Sequence, residues 1–186
     1  NYDYDGKYFV TLTGRRDGSS RFLNDKWDNF YSAGIGWLVS KESFLSGNKT
    51  INNLKLKASY GIVGDQSLAF TTESERGMTY YPGYNVYNPG NFFGLPAAVF
   101  NRVGYPDLTW ETSKMAQGGI ELSLFNRRIE AQIDYYHKTT DNLIFDKRIA
   151  PSTGTAIMKV NDGSLVNEGI EFNLLGRIIN KEDFYI

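Results

Sequence analysis

The chain contains no cysteine, which excludes disulfide bonds, zinc-thiolate sites and catalytic thiols. It contains one histidine, His137, and a lone histidine without cysteine offers poor spacing for a metal site. Neither sign of charge dominates, because 20 Lys and Arg face 21 Asp and Glu for a formal net charge of −1. Nucleic-acid-binding proteins usually carry a strongly basic patch, so no nucleic-acid partner is predicted.

The chain also lacks any run approaching the ~18 apolar residues of a membrane-spanning helix. This absence leaves a membrane β-barrel open, because only alternate residues of each barrel strand face lipid. Aromatic residues and glycine are abundant instead, with 13 Tyr, 12 Phe, 3 Trp and 19 Gly. Few stretches favour a helix, and this balance indicates an all-β protein.

Strict alternation of apolar and polar residues is the strongest pattern. Between residues 128 and 137 the apolar side chains stand at every second position, which puts them on one face of a strand. The charges on the other face, among them Lys55, Lys57, Glu130 and Asp134, predict a solvated wall. Similar patterns predict strands at residues 7–16, 30–40, 54–63, 110–125, 128 to 145 or 149, and 166–179, and the opening of a seventh strand near residue 184.

The predicted strands of about 10 to 18 residues exceed the usual globular length of ~5–6. The first, third and fifth connections are predicted to be long and rich in turn residues, and the second, fourth and sixth shorter. In a meander, odd and even connections lie at opposite ends of the sheet, and bacterial outer-membrane barrels have this asymmetry. The pattern therefore favours an antiparallel up-and-down meander of six to seven strands within a transmembrane β-barrel.

The long connections supply the candidate binding residues. Arg16 and Asp17 open the first, and the third, at residues 64–109, is long enough to contain short hairpins. A loop of this length is usually functional. Tyrosine offers an aromatic face and a polar hydroxyl for contact with a substrate or a lid protein, although packing between loops explains the rings equally well. The candidate tyrosines are Tyr80, Tyr81, Tyr84 and Tyr87.

Other aromatic residues lie near the predicted strand ends, where a membrane barrel carries aromatic girdles. The alternative is that they form the core of a soluble sheet. The candidates are Trp37, Phe44 and Phe125 at the end with the short connections, and Tyr60, Trp110 and Tyr135 at the end with the long ones.

Seven segments of the sequence carry a family resemblance. They are Arg16-Asp17-Gly18-Ser19-Ser20-Arg21-Phe22, preceded by Lys7-Tyr8; Ser32-Ala33-Gly34-Ile35-Gly36-Trp37 with Lys41-Glu42-Ser43-Phe44; Ile51-Asn52-Asn53-Leu54-Lys55-Leu56-Lys57-Ala58-Ser59-Tyr60-Gly61; Pro106-Asp107-Leu108-Thr109-Trp110-Glu111-Thr112; Phe125-Asn126-Arg127-Arg128-Ile129; Asp134-Tyr135-Tyr136 with Thr140-Asp141-Asn142-Leu143-Ile144; and Asn167-Glu168-Gly169-Ile170-Glu171. In this order they resemble the C-terminal half of the SusC/RagA family of TonB-linked outer-membrane transporters.

The resemblance implies that residues 1–186 are a fragment of one TonB-dependent receptor-like barrel of the 22-stranded type, without its signal peptide, TonB-contacting segment and plug. It implies uptake of glycans or peptides across the outer membrane of a Gram-negative bacterium. The implied partners are a SusD-like surface lipoprotein, the TonB complex and membrane lipid. Two unpaired edges are expected, beside residues 7–16 and at residues 184–186.

Two other function classes remain open. A soluble or surface-exposed carbohydrate-binding β-sandwich would explain the alternation and the tyrosines, but explains the long strands less well. An enzyme is the third reading, and no catalytic, metal or cofactor-binding residues are predicted. Glu111 and Glu121 could suggest a glycosidase pair, but ten strand residues separate them by ~33 Å. Glycosidase carboxyl groups lie only about 5–9.5 Å apart.

Overall fold

The computed structural model describes residues 1–67, 80–177, 180–181 and 184–185. Within these ranges the chain is all-β apart from short 3₁₀ turns at Val39–Lys41 and Pro151–Thr153. No helix in the described part is long and apolar enough to cross a membrane. The strands are β1 Tyr2–Tyr4, β2 Tyr8–Gly18, β3 Trp27–Leu38, β4 Ile51–Asp65, β5 Val86–Phe92, β6 Leu95–Arg102, β7 Glu111–Leu124, β8 Ile129–Asp141, β9 Ile144–Arg148, β10 Ile157–Asn161, β11 Ser164–Gly176, β12 Asn180–Lys181 and β13 Phe184–Tyr185.

Seven strands form one sheet in the order β1-β2-β3-β4-β7-β8-β11, with each neighbouring pair antiparallel. Each strand therefore pairs with the next long strand along the chain, which confirms the predicted meander. The remaining strands form the separate hairpins β5–β6, β9–β10 and β12–β13. Along the chain, hairpin β5–β6 lies between β4 and β7, and hairpin β9–β10 lies between β8 and β11. Neither hairpin changes the order of the strands in the seven-stranded sheet.

The six predicted long strands are confirmed, with shifted ends. The fifth was predicted to reach residue 145 or 149, but β8 ends at Asp141 because Asn142 adopts a left-handed backbone with φ +57°. Asparagine tolerates this conformation better than most residues, and the turn sends the chain into the β9–β10 hairpin. Strand β11 ends at Gly176, whereas the sixth strand was predicted to end at residue 179. The short β1 was not predicted.

The predicted alternation of loop lengths holds only in part. The connections at residues 66–110 and 142–163 are long and that at residues 125–128 is short, as predicted. The first connection, at residues 19–26, is shorter than the second, at residues 39–50, because β2 and β3 keep pairing as far as Gly18 and Trp27. We call the end with residues 39–50 and 125–128 the short-turn end and the opposite one the long-loop end.

Strands β1 and β11 form the two edges of the sheet. Because β1 covers only Tyr8–Val10, the rest of β2 also has an open edge. The second edge was predicted at residues 184–186, but in the described residues β11 is the edge of the seven-stranded sheet, and Phe184–Tyr185 pair with Asn180–Lys181 in a separate two-stranded sheet.

One hydrophobic cluster lies at the long-loop end. Trp110 packs against Phe22, with ring centroids 5.3 Å apart, and against Phe30 at 5.7 Å. Leu108 and Ile144 complete the buried cluster. It joins the first loop, the segment before β7 and the start of β9. The girdle position predicted for Trp110 is therefore wrong: the side chain is only 4% exposed and stabilises loops.

Candidate functional site: the two faces of the sheet and the long loops

The sheet has an apolar face on which side chains from neighbouring strands stand side by side. Register places apolar residues opposite one another across all the long strands. One line across this face is Tyr8, Trp37, Leu56, Ile120, Ile133 and Phe172; the next is Val10, Ile35, Ala58, Gly118, Tyr135 and Ile170. Many side chains on this face are exposed, among them Ile170 at 73% and Leu12, from the next line across the face, at 72%. Nothing in the described chain covers this face.

The apolar face has the height of a membrane band. On β7 the outward positions from Leu124 to Ala116 are apolar or glycine, and Lys114 is the next outward residue. Eight residue steps at ~3.4 Å cover about 27 Å along the strand. A strand tilt of ~40° reduces this to about 21 Å, close to the ~25 Å apolar band of outer-membrane barrels.

The exposed girdle candidates fit the edges of this band. Tyr60 and Tyr135 lie on the apolar face and are half-exposed, toward the long-loop end. Phe44 and Phe125 are exposed at the short-turn end. Above Tyr135, His137 Nδ1 lies 3.1 Å from Glu168 Oε2, so the single histidine pairs with a carboxylate where the apolar band gives way to polar residues.

The opposite, polar face carries an ion-pair network that joins three strands. Lys57 Nζ on β4 lies 3.1 Å from Glu121 Oε1 on β7 and 3.0 Å from Asp134 Oδ1 on β8. The Gln132 amide donates a hydrogen bond to Asp134 Oδ2 at 2.5 Å. Asp134 was predicted to lie in a solvated wall, and this prediction is wrong for its side chain. Asp134 is only 3% exposed because Lys57 and Gln132 cover it.

A groove of about 340 Å³ lies beside this network on the polar face. Gly34 and Gly36 of β3 form its floor, and Phe9 and Lys55 stand at its sides. Lys55 Nζ lies 5.9 Å from the centre of the Phe9 ring, a cation–π contact. The groove and the ion-pair network make this face hydrophilic and uneven. Such a surface is suited to contact with water or with another protein segment.

At the short-turn end, Glu42 fastens two turns together. Its Oε1 accepts hydrogen bonds from the Tyr8 hydroxyl at 2.7 Å and from Trp37 Nε1 at 3.1 Å. Lys7 Nζ lies 3.9 Å from its other oxygen. The Tyr8 bond, followed by the Trp37 bond, holds the pKa of Glu42 below its ordinary value, because both bonds favour the carboxylate. We call this group the Glu42 clasp.

Three of the predicted tyrosines are brought together at the long-loop end. Tyr80 and Tyr81 meet edge to face with centroids 5.1 Å apart, and Tyr81 and Tyr84 do so at 6.2 Å. Arg21 lies over the Tyr80 ring at 4.6 Å while its Nη1 donates to the Gln66 carbonyl at 2.8 Å. Sequence reasoning missed Arg21, because no local signal joins residues so far apart along the chain.

The tyrosine cluster is held by close backbone packing. The Tyr105 amide donates to the Pro82 carbonyl at 3.0 Å, and the Gly104 amide donates to Asn85 Oδ1 at 2.8 Å. A Cβ on Gly104 would overlap the Tyr84 backbone, so only glycine permits this approach. These contacts therefore hold the backbone of the loop that bears the tyrosine rings.

The other candidate residues make separate, local contacts. Arg16 lies over the Trp27 ring at 5.5 Å, and Asp17 accepts from Arg15 Nε at 3.0 Å, so both contacts stay within the β2–β3 hairpin. Tyr87 packs edge to face on Phe100 within the β5–β6 hairpin at 5.6 Å.

The carboxylates considered for catalysis have structural partners. Glu111 Oε1 accepts a hydrogen bond from the Ile144 amide at 2.7 Å and holds the start of β9, while Glu121 pairs with Lys57. Among the described residues no group of His, Asp and Glu is arranged to hold a metal ion.

Comparison with known proteins gives the family. The family described as TonB dependent receptor-like, beta-barrel matches residues 1–185. The chain belongs to this family. It is 40% identical over 184 residues to a TonB-dependent receptor of Formosa agariphila, covering 98% of this chain and 17% of the relative. It is 32% identical over 190 residues to the TonB-dependent receptor SusC of Bacteroides thetaiotaomicron, covering 99% and 18%.

Solved structures agree with the TonB-dependent receptor fold. The RagAB peptide transporter matches with a TM-score of 0.82 and 26% identity, over 97% of this chain and 19% of that one. The RagAB peptide importer in the "open-open" state matches with a TM-score of 0.85, 26% identity, 98% and 19%. The siderophore receptor PirA of Pseudomonas aeruginosa, at 19% identity and a TM-score of 0.56 over 95% and 29%, shares the fold alone. The chain thus spans under a fifth of the curated relatives' length.

Proposed function

We propose that the complete protein is a TonB-dependent outer-membrane importer of glycans or peptides that works with a SusD-like surface lipoprotein. Residues 1–186 supply part of the barrel wall and several external loops. The family and the resemblance to SusC and to the RagAB importer support this proposal.

One observation carries the proposal: the long strands present an apolar face and a polar face with no second layer on the apolar side of the described chain. Lipid offers no hydrogen-bond partners, so a membrane-spanning sheet pairs its backbone groups between strands and places apolar side chains outward. The Lys57–Glu121–Asp134 network then faces the interior, where water and a plug domain solvate it.

The ends of the sheet give an orientation. Barrels of this kind have short periplasmic turns and longer external loops. The short-turn end, with the Glu42 clasp, therefore faces the periplasm. The long-loop end, with the tyrosine cluster and the hairpins β5–β6 and β9–β10, faces the outside, where substrate and lid arrive.

The β-sandwich alternative is not favoured by the structure. A sandwich buries the apolar face of each sheet against another sheet about 10 Å away. Here Leu12, Ile170 and Phe172 project from that face with more than half of their surface exposed. An open apolar face of this size needs lipid or protein to cover it.

Import is tested in the source bacterium by deleting the gene and restoring it in three forms: intact, without the TonB-contacting segment, and without residues 86–102. Uptake of labelled glycan and peptide pools is measured with and without the neighbouring lipoprotein gene. We expect the intact gene alone to restore uptake of one nutrient pool fully, and loss of the lipoprotein to reduce it. Equal uptake with and without the TonB-contacting segment would contradict the proposal.

A further inference from the structure

The apolar face carries a groove near the short-turn end of the sheet. The groove has a volume of about 410 Å³ and lies across β2, β3 and β4. Ala58 lies opposite Ile35, and its single methyl group leaves room between larger neighbours. Because the outward side chains that line the groove are all apolar or aromatic, it suits a hydrocarbon chain. These side chains are Tyr8, Val10, Ile35, Trp37, Leu56 and Ala58.

A row of aromatic rings lies between the groove and the turns. The centroids of Tyr4 and Tyr8, and those of Tyr8 and Trp37, are each 6.3 Å apart. The Tyr8 hydroxyl and Trp37 Nε1 both donate to Glu42, so their polar ends reach the turn while their apolar parts line the groove. Tyrosine and tryptophan take this arrangement at the level of lipid head groups.

Charged groups of both signs lie beside these rings. Asp5 and Gly6 form the turn between β1 and β2, with φ +56° and +57°, and a Cβ on Gly6 would lie 2.7 Å from Lys41 Nζ. The absence of a side chain at Gly6 therefore lets the Lys41 ammonium approach this turn. Lys7 bridges the two carboxylates, at 3.1 Å from Asp5 and 3.9 Å from Glu42. The two lysines and two carboxylates together carry no net charge.

These groups keep capacity for further bonds. Within the described part of the chain, Lys41 makes no ion pair. Asp5 is 65% exposed at its side chain and uses one oxygen for Lys7. Glu42 accepts both ring donors through Oε1, and its Oε2 has only the 3.9 Å contact with Lys7. A ligand that carries both a phosphate and an ammonium would therefore find a partner for each charge.

We propose that the groove, with Asp5, Lys41 and Glu42 at its end, binds a phosphatidylethanolamine molecule of the periplasmic leaflet. One acyl chain lies in the groove, the phosphate accepts from the Lys41 ammonium, and the lipid ammonium donates to Asp5 or Glu42. The zero net charge of the head group matches that of the four side chains. The inference rests on the lipid-facing wall of the proposed function and adds a defined lipid site to it.

The head group distinguishes this lipid from its relatives. Phosphatidylglycerol has the phosphate but no ammonium. The quaternary ammonium of phosphatidylcholine has no N–H to donate, unlike the three donors of a primary ammonium. Either lipid would leave Asp5 and Glu42 without the added donor, so both should bind more weakly.

The test uses the complete receptor in a mild detergent, with bound lipid counted by native mass spectrometry. The probes are dioleoyl phosphatidylethanolamine, its phosphatidylcholine and phosphatidylglycerol counterparts, dioleoylglycerol without phosphate, glycerophosphoethanolamine without acyl chains, and lipopolysaccharide. The variants are Lys41→Ala, Asp5→Asn and Ala58→Phe, which fills the groove. The controls are Lys49→Ala, an exposed lysine of the same turn as Lys41, and Ala116→Phe, an exposed outward alanine of β7, both outside the groove.

We expect phosphatidylethanolamine to bind at least about fivefold more tightly than the other two phospholipids, the effect of a hydrogen bond between charged groups. Lys41→Ala and Ala58→Phe should each weaken its binding about fivefold, as loss of one basic residue or of one to two methylene contacts at a membrane does. Asp5→Asn should reduce the preference over phosphatidylcholine. Both controls should change binding by less than about twofold.

Four results would each overturn the inference: equal binding of the three phospholipids, binding of dioleoylglycerol or glycerophosphoethanolamine as tight as that of the intact lipid, preference of the Lys41-dependent site for lipopolysaccharide, or unchanged binding by both Lys41→Ala and Ala58→Phe. TonB-dependent uptake that persists without this lipid selectivity would leave the importer function standing. Loss of all TonB-dependent uptake would instead remove the function, while the binding measurements still decide the lipid site.

Discussion

At the scale of single residues, the polar face depends on a glycine that the sequence does not mark as special. Gly119 lies on β7 between Lys57 and Asp134, the two partners of the buried end of the ion-pair network. A Cβ added there would overlap the Asp134 carboxylate and come within 2.6 Å of Lys57 Cε. The absence of a side chain is therefore what lets the two charged groups meet across β7.

We predict that Gly119→Ala separates Lys57 from Asp134 and leaves a carboxylate with little solvent access without its cation. The expected loss is about 1–3 kcal/mol in the free energy of unfolding, the contribution of a hydrogen bond between charged groups, since Gln132 still donates to the other oxygen of Asp134. It is measured by urea unfolding of the complete protein in lipid vesicles.

Gly118→Ala is the matched control for this substitution. Gly118 is the neighbouring residue on the apolar face, and the nearest atom to an added Cβ is the Lys57 carbonyl oxygen at 4.0 Å. Its effect should stay within about 0.5 kcal/mol. If both glycines tolerated alanine equally, the role assigned to the Lys57–Asp134 pair would be wrong.

At the scale of elements, the Glu42 clasp joins the turn before β2 to the turn after β3. The Leu38 amide also donates to the Lys7 carbonyl at 2.7 Å, so the clasp side chains and a backbone bond hold the same junction. Tyr8 and Trp37 stack with centroids 6.3 Å apart and planes inclined by 12°, which aligns both donors toward one carboxylate.

The clasp gives a prediction about pH. Because the folded-state pKa of Glu42 lies below its ordinary value of 4.5, the stabilisation by its carboxylate is complete above that value. It is lost as the pH falls through the folded-state pKa. We expect Glu42→Gln to speed hydrogen exchange of the Leu38 amide at neutral pH, and the difference from the natural sequence to vanish in acid.

Mass spectrometry of the peptide that contains Leu38 provides the measurement, at matched pH for each variant. Asp25→Asn, at the opposite end of the sheet, should leave Leu38 unchanged at every pH. A difference between Glu42→Gln and the natural sequence that persisted in acid would show that ionisation of Glu42 does not control the clasp.

The elements also separate what the sequence predicts from what it does not. Period-two alternation predicts β2, β3, β4, β7, β8 and β11. A strand with one apolar and one polar face requires apolar and polar residues to alternate in the sequence. It does not predict the end of β8 at Asp141, since the alternation continues while the backbone reverses at Asn142. Nor does it predict the position of Trp110, whose burial depends on loops that meet only in three dimensions.

The same distinction applies to the candidate site. Tyr80, Tyr81 and Tyr84 were predictable as candidates in one long loop, whereas their ring contacts and the support from Arg21 and Gly104 required the folded chain. The charges of Lys57 and Asp134 were predictable as members of a polar face. Their pairing across Gly119 depends on strand register, which alternation alone does not fix.

At the scale of the whole molecule, everything turns on which side of the sheet meets lipid. Ala58 and Ser59 are adjacent on β4, both exposed, and point to opposite faces. Residues 1–186 contain no cysteine. A cysteine introduced at either position is therefore the only thiol in this segment to which a nitroxide label can be attached. Ala58→Cys and Ser59→Cys therefore compare the two faces at the same depth.

We predict that a nitroxide at Ala58→Cys in the complete, membrane-inserted protein is relaxed more by oxygen, which concentrates in hydrocarbon, than by a water-soluble nickel chelate. The nitroxide at Ser59→Cys should show the lower ratio of oxygen to nickel relaxation. Ile133→Cys, two strands away on the same face as Ala58, should follow Ala58 because register places the residues on one continuous apolar surface. Equal ratios at Ala58 and Ser59, or the reverse order, would mean that protein covers the apolar face, and a barrel wall in lipid would no longer explain this sheet.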